Sequence, residues 1–167
     1  MNTRNSIFSF TRMIFVLAAS MTAMVAQAAD PDFFSTKKGA IRGIDVVAYF
    51  SLEPGDKAVK GSNEFTHQHG GATWKFASAE NRDKFIADPE AYLPQYGGYC
   101  AFAVSHNFTK PVNPDAWHIE DGKLYLNLSH GVKRKWSKDI PGFISRADAN
   151  WPTALTSCEE HGNCRKI

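Results

Sequence analysis

The clearest pattern of apolar and polar positions lies between residues 63 and 77 and predicts a β-hairpin. Asn63–His69 has the composition of a strand, and Gly70-Gly71 is a two-residue hairpin signal. Ala72–Ala77 predicts the returning strand, in which Trp74 and Phe76 share one face because side chains alternate across a strand. The two glycines therefore mark where the chain reverses before it brings these aromatic residues to the core.

A helix is predicted directly after this hairpin. Ser78 is a suitable N-cap for a helix from Ala79 to about Ala87, with Phe85 and Ile86 facing the core. Asp88-Pro89 ends this helix and starts another, because aspartate is a good cap and proline is tolerated at the first helical position. Hairpin and helix together form one unit.

The same unit recurs 51 residues further along the chain. The matching positions are Gly71 and Gly122, Trp74 and Tyr125, Ser78 and Ser129, Lys84 and Lys135, Phe85 and Trp136, Asp88 and Asp139, Tyr92 and Phe143, and His67 and His118. The second hairpin is predicted over Ala116–Leu128, with one helix after Ser129 and another from Asp139 to about Ala149. Two hairpin-plus-helix layers in pseudo-repeat, sharing one core, predict a small α+β domain.

The first 28 residues have the pattern of a cleavable export signal. Arg4 and Arg12 precede an apolar stretch, Met13–Val25, and Ala26-Gln27-Ala28 is an A-x-A cleavage site. The alternative is a retained membrane helix, but the stretch is short for a span of roughly 20 residues and Thr22 interrupts it. We therefore expect a periplasmic or secreted protein with no membrane span after cleavage.

Cleavage after Ala28 would leave 139 residues, which is one domain by length. The expected division is a flexible lead-in over 29–39, a domain over 40–152 and a tail over 153–167. Cleavage removes two of the 19 lysines and arginines and none of the 17 acidic residues, so the mature chain is formally neutral. A neutral chain lacks the net positive charge that attracts nucleic acid or an anionic membrane.

Four blocks of the chain resemble exported proteins that contain a YHS domain. They are Gly43–Phe50 (GIDVVAYF), Gly71–Tyr92 (GATWKFASAENRDKFIADPEAY), Gln95–Ala101 (QYGGYCA) and Asp148–Pro152 (DANWP). The resemblance implies a small module linked to metals, copper especially. It also implies cysteines near the opening block and at the helix start after the hairpin, where this chain has other residues.

The predicted metal ligands are His67, His118 and Cys100, with His69 in reserve. His67 and His69 lie two apart on a strand, so both imidazoles face the same side. His118 is the repeat equivalent of His67, so pseudo-symmetric packing would bring these two imidazoles together. Imidazole and thiolate ligands suit copper or zinc. The alternative is that these histidines are ordinary exposed or hydrogen-bonded residues.

The cysteines divide into a close pair and a single thiol. In an oxidising compartment Cys158 and Cys164 are expected to form a disulfide, although a metal triplet with His161 is the alternative. Cys100 is then the odd thiol. It is either a small buried residue or a nucleophile whose pKa is lowered by the N-terminus of the helix predicted to follow it.

Asp45 and Tyr49 lie in the opening block and have two interpretations. They either line a pocket beside Cys100 or serve as a capping aspartate and a core tyrosine. No phosphate-binding glycine loop, G-x-S-x-G or H-E-x-x-H is present in the sequence, so we expect no nucleotide cofactor and an enzyme is the less favoured class.

Three function hypotheses remain open from the sequence. The first is an exported module that binds copper or zinc. The second is a thiol-dependent redox protein that uses Cys100, and the third is a non-catalytic domain that binds a partner. The expected partners are a metal ion or another exported protein.

Overall fold

Pairing between neighbouring strands organises the chain into three antiparallel hairpins, each followed by turns or helices. The computed structural model describes residues 32–156, which form a small α+β domain with four α-helices. The elements, in chain order, are β1 (Ser35–Thr36), β2 (Gly39–Ala40), β3 (Ser62–His69), β4 (Ala72–Phe76), α1 (Ala79–Ala87), α2 (Ala101–Val104), β5 (Asn113–Glu120), β6 (Lys123–Asn127), α3 (His130–Trp136) and α4 (Ile140–Asn150). The predicted α+β class is confirmed.

The first hairpin and helix form where the sequence predicts them. β3 pairs with β4 so that His67 lies opposite Trp74, and Gly70 and Gly71 have φ values of 55° and 74°. Two consecutive positive φ values are typical of a type I′ hairpin turn, which glycine adopts without strain. The Ser78 hydroxyl accepts a hydrogen bond of 3.1 Å from the Asn81 N–H and caps α1.

Ile86 is the exception in this unit, because its side chain is 47% exposed instead of facing the core. Successive residues on an α-helix point about 100° apart. Phe85 is fully buried. The next residue therefore turns towards solvent, and the prediction for Ile86 is wrong.

The second hairpin and its helices have the same element order. His118 lies opposite Tyr125, which is the register that His67 and Trp74 have in the first hairpin. The Ser129 hydroxyl caps α3 by accepting from Val132 N–H at 3.2 Å, and a carboxylate oxygen of Asp139 caps α4. The order of elements and the caps match, whereas packing as two pseudo-symmetric layers stays a prediction.

Aromatic side chains fill the core of both units. The Phe85 ring lies 5.3 Å from that of Trp74 and 5.2 Å from that of Phe76, measured between centroids. Trp136 packs in the same way against Tyr125, at 5.4 Å. Burial of rings this large is a main source of stability in a small domain.

The lead-in also contributes to this core, although the sequence predicts a flexible segment over 29–39. Residues 35–40 form the β1–β2 hairpin, and Phe34 is 2% exposed. The Phe34 N–H donates to the carbonyl of Gly97 at 2.8 Å, and its ring packs edge-on against Tyr99 at 5.7 Å. These contacts hold residues 34–40 against the core, because burial of an aromatic ring offsets the entropy cost of ordering the chain around it.

The core also extends past the predicted boundary at residue 152, since Ala154 and Leu155 are buried. Within residues 32–156 no helix combines the length and the apolarity needed to cross a membrane. The predicted export signal over residues 1–28 and the predicted Cys158–Cys164 disulfide lie outside the described residues.

Candidate functional site

Asp45 joins the opening block to the first helix. Its side chain is fully buried, and one carboxylate oxygen accepts hydrogen bonds from the N–H groups of Val47 at 2.9 Å and Ala48 at 3.1 Å. The other oxygen accepts from Ala77 N–H at 2.8 Å and from the side-chain amide of Asn81 at 2.7 Å. Four hydrogen bonds make Asp45 a cap that holds two segments together.

Tyr49 also lies in the core. It is 1% exposed, and its hydroxyl donates to the carbonyl of Pro114 at 2.9 Å. Burial, followed by the charge of Asp115, raises the pKa of Tyr49 far above its ordinary value. The structure therefore supports a capping aspartate and a core tyrosine rather than pocket residues.

Cys100 precedes α2 and is only 1% exposed. Leu128 N–H donates a hydrogen bond to its sulfur at 3.3 Å, and the thiol faces the side-chain oxygen of Asn127 at 3.8 Å. Burial raises the pKa of the Cys100 thiol, and opposing hydrogen bonds from backbone N–H groups do not reverse this. Of the two interpretations of Cys100, the structure supports the small buried residue, because desolvation of the thiolate outweighs the opposing hydrogen bonds.

Asn127 is a site residue that the sequence analysis missed. It is fully buried, and its side-chain oxygen also accepts a hydrogen bond from Phe102 N–H at 3.4 Å. Its side-chain nitrogen has no hydrogen-bond partner among residues 32–156. An asparagine at the end of a predicted strand carries no pattern that signals burial, so only the fold places it against Cys100.

The three histidines predicted as metal ligands are distributed between the two longer hairpins. His67 and His69 share one face of β3, as predicted, since both rings contact Phe85, at 6.2 and 5.6 Å. His118 packs on Trp136, and its Nε2 lies 2.9 Å from a carboxylate oxygen of Glu120.

These residues do not assemble into a ligand set in this structure. Within the described part of the chain, no three His, Cys, Asp or Glu side chains are grouped so that they could hold a metal ion. Copper or zinc binding by His67, His118 and Cys100, with His69 in reserve, stays a prediction.

A cleft of about 300 Å³ opens beside the segment that precedes Cys100. The Tyr96 hydroxyl donates to a carboxylate oxygen of Asp148 at 2.8 Å, and the Tyr96 ring lies 6.0 Å from that of Trp151. Tyr96 has a φ of 55°, in the left-handed region. The cleft is lined by Phe33, Glu90, Leu93, Pro94, Gln95, Tyr96, Gly97, Asp148 and Trp151.

A second cleft of about 360 Å³ also has Asp148 in its lining. It is bounded on one side by α4 and on the other by the turn between β5 and β6. Its lining residues are Glu120, Asp121, Ile140, Pro141, Ile144, Ser145 and Asp148. Asp148 is thus common to the walls of both clefts.

The two clefts share a negative electrostatic environment. No lysine or arginine lines either of them. Burial raises the pKa of Tyr125 to about 12, and the negative charges of Asp148, Asp121 and Glu120 add to this effect. Their joint influence on one phenol indicates that these carboxylates surround a common region, which favours cations over anions.

Tyr96 and Asp148 were not among the predicted site residues, although a signal for both was present. They fall in two of the conspicuous blocks of the sequence, QYGGYCA and DANWP. They lie 52 positions apart. No local periodicity connects blocks so distant, and only the packing of α4 against the 95–98 turn brings them together.

No protein-family profile, curated protein or solved structure matches this chain.

Proposed function

We propose that the protein is a non-catalytic binding module that holds a cationic group in the cleft between Tyr96, Trp151 and Asp148. The observation that carries this proposal is the 2.8 Å hydrogen bond from Tyr96 to Asp148. It fixes a carboxylate beside aromatic rings at an open cleft. The resemblance to exported YHS-domain proteins supports a small module that acts in the periplasm or outside the cell.

The chemistry of the cleft favours a positively charged ligand. Tyr96 occupies one oxygen of Asp148, and no described lysine or arginine forms a salt bridge with that carboxylate. Trp151 is partly exposed and supplies an aromatic ring, and an exposed ring face attracts a cation with about 0.5–1 kcal/mol. Tyr96 is 6% exposed, and its hydroxyl holds the Asp148 carboxylate in place. A lysine side chain or a small organic ammonium combines the charge and the apolar stem that such a cleft accommodates.

The other chemically capable residues support binding rather than catalysis. Asp45 and Tyr49 are held in structural hydrogen bonds. Cys100 is buried and has a raised pKa, so its thiolate, the nucleophilic form, is disfavoured. In this arrangement the Cys100 thiol is not exposed, so a redox reaction at Cys100 lacks an accessible thiol.

The experiment is a titration of the protein over residues 29–167 with N-acetyl-lysine amide, followed by NMR chemical shifts of the tryptophan side chains. We expect saturable binding that weakens about five- to tenfold in Asp148→Asn, since the substitution removes the charge and keeps an oxygen for Tyr96. Asp83→Asn, an exposed carboxylate on α1, is the matched control and leaves binding unchanged. Equal binding by wild type and Asp148→Asn contradicts the proposal.

A module for copper or zinc is the second candidate. The observation that favours it is the placement of His67 and His69 on one face of β3, both half-buried. Two imidazoles on one strand face can share an ion, but a stable site needs further ligands. Cys100 would have to lose its proton to become one of them.

A further inference from the structure

The sheet formed by β3 and β4 has one covered edge and one open edge. Gly39 and Gly61 lie so close to the outer edge of β4 that an added Cβ atom would lie 2.6 Å from the Thr73 carbonyl oxygen and 2.5 Å from that of Lys75. Among residues 32–156, no backbone hydrogen bond joins β3 to any segment other than β4. The outer edge of β3 is therefore unpaired in the described chain.

The register of the hairpin identifies the backbone groups on this open edge. The residues that flank a two-residue turn form a hydrogen-bonded pair, and pair types alternate along an antiparallel ladder. The pairs that contain Gln68 and Thr66 are the second and fourth from the turn, so they are of the non-hydrogen-bonded type. The N–H and C=O groups of Gln68 and Thr66 consequently point away from β4 and can pair with another strand.

The same stretch lacks the features that usually protect an edge strand. Natural edges carry prolines, lysines or other charged side chains, or a bulge that turns the strand away. Thr66–His69 contains no proline, lysine, arginine or acidic residue, and the irregularity in β3 lies before it, between Ser62 and Thr66. The open edge is therefore regular and carries no repelling charge.

Ile86 lies on the side of α1 that is next to this open edge. Asn81 donates to Asp45, and Asp45 belongs to the segment that hydrogen-bonds to residues 59–61, beside the covered edge of β4. At about 100° per residue, Phe85 follows Asn81 round the helix by about 40° and Ile86 by about 140°. Because Phe85 faces the sheet, Ile86 turns beyond it towards β3, where its large apolar side chain is exposed.

β3 also carries two imidazoles whose set of metal ligands is incomplete within one chain. His67 and His69 share the face of β3 that packs on Phe85, and both are half-buried. Within the described residues, no third histidine, cysteine or acidic side chain joins them in a metal-binding group. A second β3 strand, paired along the open edge, would bring two further imidazoles to the same face.

We infer that two copies of the chain pair through the open edges of β3, antiparallel about a two-fold axis, and hold one zinc or copper ion between them. In this register Thr66 pairs with Gln68 of the second copy, which uses all four outward-facing groups of each strand. His67 then stands opposite His67 of the second copy in a non-hydrogen-bonded pair, with Cβ atoms about 4.5–5.5 Å apart. The two His67 rings are the central ligands, and His69 of each copy completes four nitrogen ligands. Ile86 of each copy becomes covered beside the paired strands.

The metal ion, rather than the strand pairing, provides most of the association. Four backbone hydrogen bonds contribute little net free energy, whereas association costs translational and rotational entropy. Dimerisation should therefore require the metal. This inference is independent of cation binding at Asp148. It concerns the second candidate function, metal binding, and supplies the ligands that one chain lacks.

The test is sedimentation velocity of the untagged protein over residues 29–167, with zinc chloride or with EDTA. Cys158→Ser/Cys164→Ser is the background, so that the tail cysteines do not bind the zinc. We expect a monomer with EDTA and a dimer with zinc, and isothermal titration should give one zinc per two chains. At a zinc concentration about 100 times its dissociation constant, dimerisation should tighten about a hundredfold, because the ion binds the dimer and not the monomer.

Two matched variants at position 68 test the strand pairing. Gln68→Pro removes the outward N–H, which β4 does not use, whereas Gln68→Ala keeps this N–H and loses only the exposed side chain. We expect zinc to dimerise Gln68→Ala but not Gln68→Pro. Circular dichroism shows whether each variant is folded.

Variants of side chains test the rest of the interface. His67→Ala should abolish zinc-dependent dimerisation, and His130→Ala, which changes an exposed histidine on α3, should retain it. Ile86→Lys changes an exposed residue and so keeps the fold, but it places two like charges beside the paired strands. We expect Ile86→Lys to weaken the zinc-dependent dimer about tenfold, as like charges at an interface disfavour association.

The outcomes separate this inference from the functions proposed above. If zinc binds at one ion per chain and the protein stays monomeric, the inference fails and the metal-binding candidate stands. If zinc does not bind, both fail, and cation binding at Asp148 is unaffected. Equal dimerisation of Gln68→Pro and Gln68→Ala would overturn pairing through β3. If Gln68→Pro does not fold, Ile86→Lys decides, since an unchanged dimer in that variant would also overturn the inference.

Discussion

Asp45 offers the most direct test of how this fold is held together. Its carboxylate accepts two hydrogen bonds within its own turn, from Val47 and Ala48, and two from the start of α1, from Ala77 and Asn81. Asp45 is fully buried, so water does not take the place of its carboxylate as a hydrogen-bond acceptor when the side chain is removed. Substitution of Asp45 should therefore destabilise the whole domain rather than one loop.

The magnitude follows from the four donors. Val47 is buried, whereas Ala48, Ala77 and Asn81 are partly or fully exposed and can recover some hydrogen bonding with water. An unpaired buried donor costs about 1–3 kcal/mol, and hydrogen bonds to a charged group contribute about 1.5–3 kcal/mol. We expect Asp45→Ala to lower the free energy of unfolding by about 3–5 kcal/mol, the range of a broken buried network.

Asp45→Asn is the milder variant and remains measurable if the alanine variant does not fold. Its one oxygen can still accept from Val47 and Ala48, and the Asn81 amide can turn so that its own oxygen accepts from the new NH₂ group. The Ala77 N–H can only donate and is left facing a donor, so we expect a loss of about 2 kcal/mol.

The assay is urea unfolding followed by tryptophan fluorescence, with Asp139→Asn as the control. Asp139 caps α4 from an exposed position, so its loss should cost no more than about 1 kcal/mol. If Asp45→Asn unfolds within about 0.5 kcal/mol of the wild type, the size of an ordinary surface substitution, then the carboxylate does not hold the two segments together. The reasoning from the four hydrogen bonds would then be refuted.

Two further predictions concern the residues with metal or thiol chemistry. The Cys100 thiol should react slowly with iodoacetamide at pH 7 in the folded protein and quickly in urea, because it is buried and its pKa is raised; fast reaction in the native state would restore the redox hypothesis. The same shift means that the folded thiol holds its proton more tightly than the unfolded one, so its contribution to stability is present below about pH 8.5 and is lost as the pH rises further. The metal hypothesis predicts that isothermal titration detects zinc or copper binding and that His67→Ala abolishes it. His130→Ala, which changes an exposed histidine on α3, should retain the binding. If the wild type does not bind either metal with micromolar affinity, the metal hypothesis is ruled out.

The elements that the sequence predicts well are those set by neighbouring residues. α1 begins at Ala79 and ends at Ala87, as expected from the Ser78 cap and the Asp88-Pro89 stop. A two-residue glycine turn likewise fixes where β3 ends and β4 begins. Caps and tight turns act over three or four residues, so their signals can be found without knowledge of the fold.

Burial is what the sequence could not supply. Phe34 follows a polar lead-in, yet Tyr99, more than sixty residues away, provides its partner. Ile86 is a large apolar residue of the kind that fills protein cores, but Phe85 occupies the side of α1 that faces the core. In both cases the outcome depends on contacts between distant segments, which local pattern does not contain.

The same limit explains why the predicted site and the candidate site differ. Reasoning from residue type selects cysteine and histidine, because these are the common nucleophiles and metal ligands. Cys100 is nevertheless enclosed by backbone and by Asn127, whereas Asp148, an unremarkable residue by type, is exposed at the junction of two clefts. Access and surrounding charge decide what a side chain can bind, and both are properties of the folded surface. Our proposed function accordingly places cation binding at Asp148 and assigns no chemistry to the Cys100 thiol.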